Sequence, residues 1–436
     1  MRRLRPEQWP LIAAVTVLLI SGGALVFYLL FQKPTAAPPG PSPVSPAPVK
    51  TLSALAPEPV WESLERFADT MTPKEFQEAM DRVYGDGTPA WQDFFTVVDA
   101  PGGPPGVQIV RWSADQAAPR LSLGLQGSRP PQRYWREAAE LPPSSAPAER
   151  PLEGVVIALD PGHIGGAWAR MEQRWYQPPD ESTAVMEGEM TLRTAQLLKP
   201  ALEALGASVS LVREATEPVT ATRPADYGAL TTTSQQAELF FYRKAEIRAR
   251  ADKVNQQLRP DLVVCLHFNA EPWGEPGKVT FVEANHLHLI VNGHYGPDEM
   301  GLDDVRLEML ERVFQRSERE ELRLADAVAR SLAAATGLPP YDYAAGHMAA
   351  NARRPIPDNP YVWARNLMAN RLYQCPVVFT EPYVMNNRDV YDRVAAGDYE
   401  GERLVAGKLR KSLYREYADA VAAGLKAHYA AHRRTQ

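Results

Sequence analysis

Four segments far apart in the chain carry side chains that bind metals and move protons. They are Asp160-Pro161-Gly162-His163, Glu187-Gly188-Glu189-Met190-Thr191-Leu192, Leu266-His267-Phe268-Asn269-Ala270 and Phe379-Thr380-Glu381. Two histidines and a carboxylate can hold one zinc ion and leave a coordination position open, as a catalytic rather than a structural site requires. A further carboxylate can carry the proton traffic that the ion does not. Singly, each residue has an ordinary explanation. His163 can be a loop histidine and His267 a satisfied core histidine. Glu187 can complement a helix N-terminus, and Glu381 can be a surface acid. Together these explanations require four coincidences.

The elements around the segments remove the coincidence. Val155 to Leu159 is a continuous apolar run, as in a strand covered on both faces. Met190, Leu192, Ala195, Leu198, Ala201, Leu202 and Leu205 repeat at helical spacing and Gly206 closes that helix. Val209 to Val212, Leu262 to Phe268 and Pro376 to Thr380 read as further strands. Gln235 to Leu258 and Glu318 to Thr336 read as helices, and Gly401 to His432 as a helical tail. Thr280 to Glu283 and Leu287 to Val291 read as edge strands. This is an α/β fold, a mainly parallel central sheet with helices on both faces. Ligands of such sheets gather beyond the carboxyl ends of the strands. His163, His267 and Glu381 each stand at a strand end, and Glu187 opens a helix, so one sheet edge can collect all four.

The rest of the chain sets the context. Its 436 residues are 45% hydrophobic with a net charge of -6, which suits a substantial core and gives no basic stripe for nucleic acid beyond the extreme N-terminus. Arg2, Arg3 and Arg5 precede an uncharged stretch from Leu11 to Phe31. At about 1.5 Å per residue it spans roughly 30 Å, a hydrocarbon thickness. The sequence therefore predicts a transmembrane anchor over 1–33, with the arginines cytoplasmic and the chain after Lys33 outside. Thr35-Ala36-Ala37 leaves cleavage open. A Pro-rich linker follows over 34–59. Residues 60–150 read as a small α+β domain, with helical patterns split at Thr70-Met71-Thr72-Pro73 and strands at Phe94 to Val98, Val107 to Val110 and Leu121 to Leu125. The main domain is 151–436. Cys265 and Cys375, the two cysteines, stand two and six residues before His267 and Glu381. On parallel strands that offset, roughly 13 Å, exceeds disulfide reach.

The motifs also resemble a family, the zinc-dependent N-acetylmuramoyl-L-alanine amidases of the amidase-3 type. Leu159-Asp160-Pro161-Gly162-His163 with Gly165-Gly166 is similar to the family's opening motif. Glu187 with Leu192 and Ala195 is similar to its ligand-bearing helix start. Arg213, the run Asp261 through His267-Phe268-Asn269-Ala270, and Pro376 through Glu381 with Asn386 complete the likeness over about 154–430. The resemblance implies Zn2+ held by His163, Glu187 and His267, and Glu381 as catalytic acid/base. It implies peptidoglycan as substrate, cut at the amide between N-acetylmuramic acid and L-alanine, and a site outside a bacterial inner membrane. A protein activator is compatible with it.

Departures from the family pattern concern the second ligand. His163 and Glu187 are 24 positions apart, longer than the family norm, so Glu172 and Glu189 are rival ligands. Gly188 stands where the family often has Lys. Extra segments occur near 295–317 and 341–371, and an autoinhibitory helix over Asp303 to Phe314 is one expectation for the first. His286, His288, His294 and His347 read as surface or strand residues. Two other functions fit the same residues: a non-catalytic envelope protein that binds peptidoglycan or a partner, and a zinc peptidase of stem peptides.

Overall fold

Thr72 starts the first α-helix, α1 (Pro73–Ala79), through a capping box. Its hydroxyl accepts from the Glu75 amide at 3.2 Å while the Glu75 carboxylate accepts from the Thr72 amide at 2.9 Å, with Pro73 in the first turn. The computed structural model describes residues 52–98, 103–109, 119–124, 129–274, 279–343 and 352–434. The chain divides into Met1–Val49 and Lys50–Gln436. The first unit lies outside the described residues, and with it the expected anchor at 1–33. Among the described residues no helix is long and apolar enough to cross a membrane.

After α1 come three short antiparallel strands, β1 (Phe95–Val98), β2 (Gly106–Ile109) and β3 (Arg120–Ser122). The chain then enters the main sheet with β4 (Val156–Pro161). A hairpin of β5 (Trp175–Tyr176) and β6 (Val185–Met186) leads into α2 (Glu187–Ala204) and β7 (Ser208–Leu211). Helices α3 (Ser234–Phe240) and α4 (Glu246–Asp252) form one helical run with the π-helical turns that follow each, ending where Arg259 turns left-handed at φ 44° before Pro260. Next are β8 (Leu262–Leu266), β9 (Leu287–Val291), α5 (Pro297–Met300), α6 (Asp303–Gln315) and α7 (Ser317–Thr336). The chain closes with β10 (Val362–Ala364), α8 (Met368–Arg371), β11 (Val377–Pro382), α9 (Arg388–Ala395), β12 (Glu402–Val405), β13 (Lys408–Lys411) and α10 (Leu413–His432).

The main sheet has the order β10-β9-β11-β8-β4-β7. All neighbours are parallel except β9 and β11, which run antiparallel. Alternate residues of each strand feed two layers. Ile157, Leu159, Val264 and Leu289 pack with Leu198, Val328 and Val421 of α2, α7 and α10. Ala158, Val263, Ile290 and Phe379 pack with Ala251, Val254 and Tyr373 on the other face. Helices therefore cover both faces, as the apolar strand runs require.

Three expectations are corrected. Leu287–Val291 is an internal strand, buried along its whole length, because Val362–Ala364 adds outside it. Thr280 to Glu283 forms no strand; Val282 makes one bridge to Asn387. The tail from Gly401 begins with the β12–β13 hairpin, and only from Leu413 is it helical. The cysteines are both buried and free. Cys265 pairs with Phe379, four positions past Cys375, the offset expected from the sequence.

Helix α6 is committed to packing. Val305, Met309, Leu310, Val313 and Phe314 share a core with Trp61, Phe67, Phe76 and Phe95 of the N-terminal strands and helices. Its apolar face is thus occupied by that N-terminal core. Trp135, Leu141 and Leu152, by contrast, pack against the main sheet.

Candidate metal centre and catalytic carboxylate

Strand β4 ends in a turn that needs unusual backbone. His163 takes φ 57°, the left-handed region that costs a non-glycine residue energy and persists where the surroundings enforce it. Arg250 supplies that enforcement. Buried on α4, it donates to Pro161 O at 2.7 Å and His163 O at 2.6 Å and pairs with Asp160 at 2.9 Å. Asp160 is therefore the buried counter-charge that holds Arg250. Arg213 adds a bond to Gly188 O at 2.7 Å, tying the start of α2 to the same turn. Residue 188 also approaches the turn closely: a β carbon there would lie 1.8 Å from Ile164 O, so only glycine fits without a shift of the backbone.

Glu187, at the first position of α2, is 2% exposed and lies between the two histidines. Its Oε1 is 3.2 Å from His267 Nδ1 and accepts from the Phe268 amide at 3.1 Å. Its Oε2 is 3.3 Å from His163 Nε2 and 3.1 Å from Arg174 Nε. Burial pushes the Glu187 pKa up, but its interactions with His163, His267 and Arg174 outweigh it and hold the group below its ordinary value. Burial pushes His163 well below the usual imidazole value, the neutral form that a metal needs. One ligand atom each from His163, Glu187 and His267 lie within 4.8 Å of one another. Two imidazoles and a buried carboxylate are a donor set that fits zinc.

The rival acids occupy other places. Glu172 stands behind His163, with Oε1 3.6 Å from Nδ1 and Oε2 accepting from the Ile164 amide at 2.6 Å. This is the position of a carboxylate that orients a histidine ligand. Glu189 is exposed and accepts from the Gly166 amide at 3.2 Å.

Glu381 reaches the site from β11. The His267 amide donates to Thr380 O at 3.0 Å, so residues 267 and 381 stand side by side one step beyond the Thr380–Leu266 pair. The His267 ring stacks on Phe379 with centroids 4.2 Å apart. Tyr417 of α10 donates to His267 O at 3.1 Å. On the other flank Glu381 pairs across the sheet with His288, whose Nε2 is 3.0 Å from Oε2. The four expected site residues therefore share one edge of the sheet. Sequence reasoning missed Arg174, Arg250 and His288. The signal for His288 is its alternation with apolar residues in Leu287-His288-Leu289-Ile290-Val291, which aims it at one face.

Comparison with known proteins supplies the class. A family model described as N-acetylmuramoyl-L-alanine amidase, Amidase_3, matches residues 157–413. No curated protein matches. Among solved structures, the N-acetylmuramyl-L-alanine amidase Ami1 from Mycobacterium smegmatis is similar with 18% identity and a TM-score of 0.37, over 64% of this chain and 99% of that one. The amidase AmiC2 of Nostoc punctiforme is similar with 14% identity and a TM-score of 0.35, over 63% of this chain and 96% of that one. The catalytic domain of the amidase CwlV from Bacillus (Paenibacillus) polymyxa has 15% identity and a TM-score of 0.34, over 63% and 97%. With the family model covering more than half of the chain and enclosing all four site residues, the chain belongs to the amidase-3 family of N-acetylmuramoyl-L-alanine amidases.

Proposed function

We propose that the chain hydrolyses the amide between the lactyl group of N-acetylmuramic acid and L-alanine, with zinc held by His163, Glu187 and His267 and with Glu381 as acid/base. The observation that carries this reading is the convergence of those three ligand atoms within 4.8 Å beside a carboxylate on the adjoining strand. Zinc at such a site would supply Lewis acidity toward water and the scissile carbonyl. Glu381 takes a proton from the attacking water as the water oxygen bonds to the carbonyl carbon. When the carbon–nitrogen bond breaks, Glu381 returns that proton to the departing L-alanine nitrogen. Glu187, acting through both histidines, fixes their spacing, and Glu172 and Arg250 fix the turn that presents His163.

The test is digestion of isolated peptidoglycan by the zinc-loaded protein. Stem peptides with a free L-alanine amine are expected, and Glu381→Ala should abolish them while retaining zinc. Single amino acids as products would instead mark a peptidase, and no turnover at full zinc occupancy a binding protein. We further propose that residues 11–31 anchor the protein in the inner membrane with the site on the outer side. Fractionation that left the full chain soluble in the cytoplasm would reject this.

A further inference from the structure

His288 is buried beside the site and no step of the proposed chemistry uses it. It faces Glu381 directly across the antiparallel β9–β11 pair, in the same row that places His267 on the other side of Glu381. Its Nε2 is 3.0 Å from Glu381 Oε2 and 3.2 Å from the Tyr343 hydroxyl. Its Nδ1 is buried with no hydrogen-bond partner. A proton on Nδ1 would thus be buried unpaired, whereas a proton on Nε2 faces a carboxylate, so the arrangement favours Nε2–H. The ring cannot easily turn away. Tyr341 lies against it at 5.0 Å between centroids, Tyr343 meets it edge-on at 5.4 Å, and Arg365 reaches the Tyr343 hydroxyl at 3.4 Å.

We propose that His288 is a positioning residue for Glu381. It engages one carboxylate oxygen, Oε2, and leaves Oε1 as the oxygen that takes the proton from water and returns it to the leaving amine. This rests on the reading of Glu381 as acid/base. A general base works only when its oxygen is held within hydrogen-bond reach of the proton, and a side chain engaged at one oxygen has fewer orientations to search. The titratable and charged groups around the pair are His267, His286, Glu271, Tyr341, Tyr343 and Arg365.

The experiment compares the full-length, zinc-loaded wild type with His288→Ala, His288→Gln, Tyr343→Phe and Glu381→Ala on peptidoglycan across pH, with zinc content measured for each. His288→Ala is expected to lower kcat by roughly 10–100-fold, the range for outer-shell partners, with KM and zinc content unchanged. Glutamine, which keeps a donor, should recover part of kcat, and Tyr343→Phe should show a smaller loss of kcat than His288→Ala. If alanine does not fold, the glutamine and phenylalanine variants carry the test. Wild-type kcat in the folded His288 variants, with Glu381→Ala inactive, would overturn the role of His288 alone. Full activity in Glu381→Ala would overturn the acid/base reading instead.

Discussion

The ring of His267 lies directly over Gly162: a β carbon at 162 would be 2.3 Å from it. The two residues follow neighbouring strands, β4 and β8, and the Gly162 amide donates to Leu266 O at 2.9 Å, so neither backbone can yield. Glycine is needed here for close approach, because any side chain would displace the ring. Gly162→Ala should therefore move His267 and lower zinc affinity by at least about tenfold, the scale seen when ligand orientation is lost. Zinc titration against a chelator measures it, and wild-type affinity in the variant would contradict the geometry.

The three acids near His163 separate by role. Glu187 touches both histidines, Glu172 backs one of them, and Glu189 touches neither. Bound zinc measured by mass spectrometry should fall to background in Glu187→Ala. Affinity should drop roughly 10–100-fold in Glu172→Ala. It should stay within about fivefold of wild type in Glu189→Ala, since an exposed helix-start acid contributes only a few tenths of a kcal/mol to about 1 kcal/mol. Loss of zinc from Glu172→Ala with retention in Glu187→Ala would exchange their roles.

Acid should unfold the protein partly through Glu381. Its folded pKa is depressed to about 2, with burial opposed most by His288 and then by His267 and Arg365. In an unfolded chain a glutamate titrates near about 4.3. Because the folded value is the lower one, the stabilising contribution is complete above the unfolded pKa and is lost as pH falls through the folded pKa. Metal-free Glu381→Gln should lose less stability than metal-free wild type as pH falls from about 5 to about 2. Urea titrations at fixed pH measure this, and parallel stability curves would contradict it.

Much of this arrangement was legible in the sequence because burial leaves a plain pattern. The runs Val155 to Leu159, Leu262 to Phe268 and Pro376 to Thr380 could only be strands covered on both faces, and they placed His163, His267 and Glu381 at one edge. The misread strand Leu287–Val291 has equally apolar residues, but its place in the sheet depends on Val362–Ala364, which arrives after three helices and has little pattern of its own. His288 was missed for the same reason: its partner Glu381 is named only by the register of β9 on β11. Arg250 was beyond local reading, since what it holds are backbone carbonyls of a distant turn.

The strand that carries Glu381 is itself held by a buried ion pair, and this makes a last prediction. Arg312 of α6 donates to Glu321 of α7, and both side chains are almost fully buried. Arg312 also donates to the carbonyls of Tyr373 and Cys375, while the Val377 amide donates to Glu321 at 2.7 Å. The pair therefore pins the start of β11 to two helices. Removing one partner leaves the other charge buried without compensation, a change that costs about 3–5 kcal/mol, whereas replacing both with apolar residues of similar size is often neutral. Glu321→Ala should thus lower the unfolding free energy by about that amount, and Arg312→Met with Glu321→Leu together should cost clearly less. Chemical denaturation of the two variants decides it. Equal losses would mean that the carbonyl bonds of Arg312, rather than its charge pairing, hold β11 in place.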